Sequence, residues 1–245
     1  MVMDAPLNLR ITRHAEIMGR HDPSEGWAER VTEDGRNRSV WISGPPGTPP
    51  DPHIHPDFNE WWIALDGHTQ WQIGQYEPVL SDWGDIIMAP AGYAHDIRPK
   101  GDLQSIRFGV THPNSNHDIK GVPPARLIPV DEGQTNPNLI HTKLSSLIDR
   151  NGTSSNWVEA AVSDNRNYAT YTHEVSGTAS GPTSHAAEDR WWVVLQGQIE
   201  WSIDYEESVS AGAGDVVFID QGKSYSMKTV GDEPSIRITI AAPEG

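Results

Sequence analysis

Apolar residues come in short runs along the whole chain, and each run closes on a turn residue. Trp61 to Leu65 and Trp191 to Leu195 are apolar runs that end in Asp66-Gly67 and Gln196-Gly197. Gln70 to Ile73 and Gln198 to Ile203 then alternate polar with apolar, the period of a strand with one buried face. Ile86 to Met88 and Val216 to Ile219 are further short apolar runs, each following a Gly-Asp pair. Asp-Gly between two such runs is a strong hairpin signal. Helical periodicity is scarce, and Lys143 to Arg150 is the best candidate. The pattern predicts an all-β chain.

The runs repeat at a fixed offset of 130 residues. Glu60-Trp-Trp-Ile-Ala-Leu-Asp-Gly67 matches Arg190-Trp-Trp-Val-Val-Leu-Gln-Gly197. In the same register Trp71 meets Trp201, Ile73 meets Ile203, Gly84-Asp85 meets Gly214-Asp215, Gly92 meets Gly222, and Ser105-Ile-Arg107 meets Ser235-Ile-Arg237. A register held over so many positions indicates two copies of one structural unit. The copies are expected over residues ~40–112 and ~170–242. The resulting division is 1–112, a connecting segment 113–150 rich in Pro and Asn, and 151–245.

Composition narrows the function classes. With 22 Gly and 19 Pro in 245 residues, the chain suits short strands and tight turns. Cysteine is absent, which excludes disulfides, a thiolate nucleophile and a Cys-ligated metal. A net charge of −16 argues against nucleic acid as a partner. No apolar run approaches the ~18 residues of a membrane span, and residues 1–20 lack a signal-peptide pattern, so no membrane partner and a cytoplasmic location are expected. Ten Trp residues are more than two small cores readily hide, which makes a homodimer a further expectation.

One half carries a constellation with chemistry. Five residues separate Gly47 from His53-Ile54-His55, four separate His55 from Glu60, and six separate Glu60 from Gly67. After sixteen more comes Gly84, then five, then Pro90-Ala91-Gly92, then two, then His95. On a strand, side chains two apart face the same way, so His53 and His55 point to one side together. Glu60 returns a carboxylate from a neighbouring strand, and Gly92 permits the bend that brings His95 back. Three imidazoles and one carboxylate leave two positions of an octahedral shell open. Such a set suits one divalent ion per chain, Fe(II) first, with Mn, Ni, Co or Zn as alternatives.

The two blocks resemble both signature motifs of the cupin superfamily, with every spacing met as far as His95; a closing Asn of the second motif is replaced by Pro99. The resemblance implies a bicupin, two tandem double-stranded β-helix (jelly-roll) barrels, with metal ligands His53, His55, Glu60 and His95. The second copy departs from the pattern. His185 stands at the place of His55, but Thr183 replaces His53, Arg190 replaces Glu60, Asp220 replaces Pro90 and Tyr225 replaces His95. That copy reads as a metal-free scaffold, with His185, Glu188 and Arg190 placed to pair with one another or to hold an anionic ligand.

Weaker readings attach to other residues. Trp62 and Ala64 share the parity of Glu60 and face the interior with it. Trp62, Gln72 and Arg98 are candidate substrate contacts, with Gln70 and His68 nearby. Arg107 and Arg237 recur together, as a structural ion pair would. His112 and His117 read as solvated loop residues. The family implied by the resemblance contains dioxygenases with a three-His, one-Glu centre, and also metal-dependent lyases, isomerases and cyclases that use the metal as a Lewis acid without O2. The reading placed first is a dioxygenase acting on a small oxygenated organic molecule, with Glu60 as both ligand and proton acceptor. The lyase, isomerase or cyclase reading is the alternative, and a storage protein ranks third because it has no use for a strictly spaced ligand set.

Overall fold

The computed structural model describes residues 2–3, 7–115, 119–120, 136–204 and 206–243. Strands dominate, and the two helices among the described residues are short, His14–Arg20 and Leu144–Asn151. Neither is long and apolar enough to cross a membrane. The predicted helix over 143–150 lies where expected. The one at His14–Arg20 has no periodic signal of its own, but it sits 130 residues before its counterpart.

That offset runs through the whole fold. Each element from Ile11–Thr12 to Ser105–Thr111 has a counterpart from His141–Thr142 to Ser235–Ala241. The chain divides into two compact units. One holds the Val2–Met3 strand and His21–Leu144; the other holds Asn8–Arg20 and the chain from Ser145 onward. Residues 8–20, assigned above to the first copy, therefore join the second unit, and 136–144 of the connecting segment join the first. Residues 116–118 and 121–135 of that segment, His117 among them, lie outside the described residues.

The first unit is built from two sheets. A seven-stranded sheet runs in the order Val2–Met3, Ala28–Glu33, Arg38–Gly44, Ser105–Thr111, Glu60–Ala64, Ile86–Ala89, His141–Thr142. A five-stranded sheet runs Ile119–Lys120, His53–Ile54, His95–Lys100, His68–Ile73, Val79–Ser81. His68–Ile73 of the smaller sheet alternates, whereas Glu60–Ala64 and Ile86–Ala89 of the larger sheet are buried along nearly their whole length. The inner faces of the two sheets cover each other. Trp62, Ile87 and Ala89 of the larger sheet meet Trp71 and Ile73 of the smaller one in a single buried cluster. The second unit repeats this with six- and four-stranded sheets around Trp192, Val217, Ile199 and Trp201. Among the described residues each unit is a two-sheet sandwich and no sheet closes on itself into a barrel. Eight Trp side chains are buried in these cores (Trp27, Trp41, Trp61, Trp62, Trp71, Trp191, Trp192 and Trp201). Eight of the ten Trp are thus hidden inside the fold, more than was expected of two small cores.

The repeated Gly-Asp turns have a shared task. Asp85 Oδ1 accepts the Leu144 N–H (3.0 Å), and Asp215 Oδ1 accepts the His14 N–H (3.0 Å). Each aspartate caps the first turn of a helix distant in sequence. The other oxygen of each also closes its own turn, onto Asp82 N–H and Gly212 N–H (both 3.1 Å). Asp85 is buried and meets His141 Nε2 as well (2.7 Å). Asp85→Ala should leave two backbone N–H groups without their acceptor and cost about 2–3 kcal/mol. The check is the urea midpoint at constant m-value.

Candidate metal centre

His53 and His95 are direct cross-strand partners in the five-stranded sheet. Such a pairing sets their side chains next to each other on one face, and His55 lies two residues on, with the same parity. The turn before His95 is held by Gly92, at φ +81°, whose N–H donates to His55 O (2.8 Å). Asn59 Oδ1 accepts the neighbouring Ala91 N–H (3.0 Å). Glu60 begins a strand of the opposite sheet and reaches across the inter-sheet space. The four donors therefore come from both layers.

The donor atoms of His53, His55, Glu60 and His95 all lie within 4.8 Å of one another. His53 Nε2 is 3.0 Å from His95 Nε2. Glu60 Oε2 is 2.9 Å from His55 Nε2, 3.3 Å from His95 Nε2 and 4.0 Å from His53 Nε2. Metal–ligand bonds of ~2.1 Å set neighbouring octahedral donors ~3.0 Å apart and opposite ones ~4.2 Å apart, whereas a tetrahedral shell sets all of them ~3.4 Å apart. The observed distances, 2.9–4.0 Å, fall in the range of donors that could share one divalent ion.

Protonation gives a second test of fit. His53 Nδ1 lies 2.6 Å from Asp51 O, and His95 Nδ1 lies 3.3 Å from Tyr93 O. A carbonyl only accepts, so each Nδ1 carries the proton and each Nε2 of a neutral ring presents a lone pair. Two lone pairs facing each other at 3.0 Å repel unless a proton or a metal ion lies between them. This carbonyl-to-Nδ1 arrangement is how a metal-ligating histidine is usually oriented. Burial pushes the Glu60 carboxyl up, but its contacts with His55 and His95 outweigh this and hold it well below the usual carboxylate range. A carboxylate that stays ionised is what a divalent ion requires.

Around the quartet the structure sorts the weaker candidates. Trp62 faces the same interior, with its ring 5.3 Å from that of His95. Gln72 and Arg98 do not: Trp71 and Ile73 turn inward, so Gln72, paired with Asp96, and Arg98, paired with Gln70, face the other side of the sheet. There the Gln72 amide donates to Gly74 O and Tyr76 O (3.0 and 2.6 Å), and Arg98 pairs with Asp96 (2.7 Å). Both line a groove of about 590 Å³ on that outer face, apart from the quartet. His112 is not simply a solvated loop residue. Its ring stacks on Phe58 (5.6 Å), which stacks on His55 (4.7 Å). Phe58 has no motif spacing to reveal it, since its contact comes from the loop that carries the chain from His55 to Glu60.

The second unit has turned the same positions inward on themselves. His185 Nε2 lies 2.9 Å from the Tyr225 hydroxyl, and Arg190 pairs with Glu188. Arg237 pairs with Glu174 through two contacts (2.7 and 3.0 Å). Arg107 was expected to share that role, but Gly44 occupies the position matching Glu174, and among the described residues Arg107 makes no ion pair. His185→Ala is expected to leave the metal content of the protein unchanged, measured by elemental analysis, since its ring is committed to Tyr225.

Residues 171–240, within the second unit, match the family model of the cupin domain. No curated protein matches the chain. Among solved structures, a cupin 2 conserved barrel domain protein from Leptotrichia buccalis aligns at TM-score 0.68 and 11% identity, over 95% of each chain. A structure reported for the Mn(II) centres of Bacillus subtilis oxalate decarboxylase aligns at TM-score 0.58 and 16% identity, over 90% of this chain and 74% of that one. At such identities the likeness is one of fold. The family match and the fold likeness support the cupin superfamily.

Proposed function

We propose that the chain is a bicupin with two tandem copies of one unit. The first copy forms a metal-dependent active site that acts on a small oxygenated organic molecule by dioxygenation. The observation that carries this reading is the convergence of four donors from two sheets, in the one unit that keeps all of them. A cation held there, Fe(II) first, would supply Lewis acidity and access to O2 chemistry. His53, His55 and His95 would hold it through Nε2, their rings fixed by the backbone carbonyls and by Phe58. Trp62 walls the interior beside His95 and keeps water out. Glu60 is the proton acceptor of this reading, since it is the one carboxylate among the four donors and its side chain is only 13% exposed. Both atoms of O2 would enter the product and the substrate would supply the electrons, so no separate reductant is needed.

A second reading, a metal-dependent lyase that needs no O2, draws support from the oxalate decarboxylase structures. Oxygen dependence separates the two. Under the first reading, turnover of phenols, diketones or hydroxy acids by Fe(II)-loaded protein stops in strict anaerobiosis; an unchanged anaerobic rate would replace it with the lyase. Glu60→Gln should cut turnover at least ~100-fold, the scale of general acid–base contributions. Full turnover in a variant that keeps its metal would remove Glu60 from the mechanism.

A further inference from the structure

One strand row beside the quartet has unused donors. Thr111 pairs directly with Arg38 across the larger sheet, and Val110 pairs with Trp61 on the other side. Continued one step, that register sets Arg38, Thr111 and Glu60 side by side on adjacent strands, ~4.8 Å apart per step. The row faces the interior: Gly109, two residues before Thr111, lies against the Trp62 ring, where a Cβ would come within 3.1 Å. Thr111 is 6% exposed, and its hydroxyl has no hydrogen-bond partner. The Arg38 Nε–H is likewise buried without one, although another of its nitrogens donates to Ser115 O (2.9 Å). Buried polar groups normally find partners, and those that do not mark a place where something polar belongs.

The second unit supplies an internal control. At the matching positions it has Tyr168, Ala241 and Arg190. The unit without the four metal donors therefore keeps neither Arg38 nor Thr111 at its place; its guanidinium stands where Glu60 does and is paired with Glu188. Arg38 also sits in the field of Arg30, which repels it, and of Glu33 and Glu60, which attract it. With Glu60 committed to the quartet, the row offers the Arg38 guanidinium and the Thr111 hydroxyl, while Glu33, the cross-strand partner of Arg38 on the next strand, lies on the side away from Thr111. A carboxylate fits that set, because a guanidinium can meet both of its oxygens.

We infer that Arg38 and Thr111 form a carboxylate-binding subsite beside the quartet, so that the substrate is a carboxylic acid anion. This rests on the reading of the quartet as a metal-dependent active site, and it names the class of molecule that site takes. Substrate would be anchored by its carboxylate at Arg38 and Thr111, with a second oxygen turned toward the quartet.

The test is calorimetric titration of the full chain, metal-free and Mn(II)-loaded, with acetate, oxalate and succinate and with their uncharged amides. The subsite predicts binding of at least one carboxylate and of none of the amides. Arg38→Gln should weaken that binding at least ~10-fold and Thr111→Val should weaken it measurably, while Arg38→Lys restores part of it. All three variants should keep wild-type Mn(II) affinity. Equal carboxylate binding by wild type and Arg38→Gln, or no carboxylate binding by either form of the wild type, overturns the inference. Carboxylate binding that depends on Arg38 in a protein that takes up no Mn(II) would uphold the subsite while removing the metal reading.

Discussion

Replacing His53 and His95 together by alanine is expected to abolish specific binding of divalent metal, with affinity falling more than ~100-fold. The groups that merely orient a metal ligand are worth about 10–100-fold, and this change removes two ligands whose Nε2 atoms face each other at 3.0 Å. The loss should appear in competition with a chromophoric chelator. It should also appear in thermal unfolding. Saturating metal at 100 times its Kd stabilises the native state by about 2.7 kcal/mol, so added metal should raise Tm in the wild type and leave it unmoved in the double variant. An affinity within threefold of wild type would show that the metal binds elsewhere.

Gly67→Ala is expected to be the most damaging single-methyl substitution in the first unit, at roughly 4 kcal/mol or more. Gly67 has φ +71°, and an added Cβ would lie 2.3 Å from Gln104 O and 3.0 Å from Ser105 Cα. Both contacts are backbone, so nothing can swing aside. Gly92 provides the contrast, with φ +81° and no atom within 4 Å of the same Cβ. Gly92→Ala should therefore cost only the left-handed conformation, about 1–2 kcal/mol. Gly197 repeats the tight case, 2.5 Å from Pro234 O, and Gly197→Ala should behave as Gly67→Ala does. Urea unfolding of Gly67→Ala and Gly92→Ala decides it, and equal midpoints would refute the account.

The strands, their turns and the repeat were legible because a half-buried strand writes its period into the sequence. The quartet was legible because its spacing follows from that period: His53 and His55 two apart, Glu60 on the next strand, His95 after a glycine bend. What could not be read depends on contacts between residues remote in sequence. The His14–Arg20 helix takes its first cap from Asp215, 201 positions away, so no local cap announced it. Gln72 and Arg98 looked like pocket residues because polarity in a strand does not say which sheet face it lies on; the pairing of His95 with Ile73 decides that. The Arg107–Arg237 recurrence misled for another reason. A repeated residue keeps its role only if its partner is repeated too, and Glu174 has become Gly44. Arg38 and Thr111 drew no notice because each is ordinary on its own. Only the cross-strand register places them beside Glu60.

One unit of the two is expected to hold the metal, through His53, His55, Glu60 and His95. Anomalous diffraction from crystals grown with Mn(II) or Fe(II) tests it most directly. One peak per chain is expected, ~2.0–2.3 Å from Nε2 of His53, His55 and His95 and from the Glu60 carboxylate, with none beside His185. No peak at the quartet, or a peak of equal height in the second unit, would contradict it.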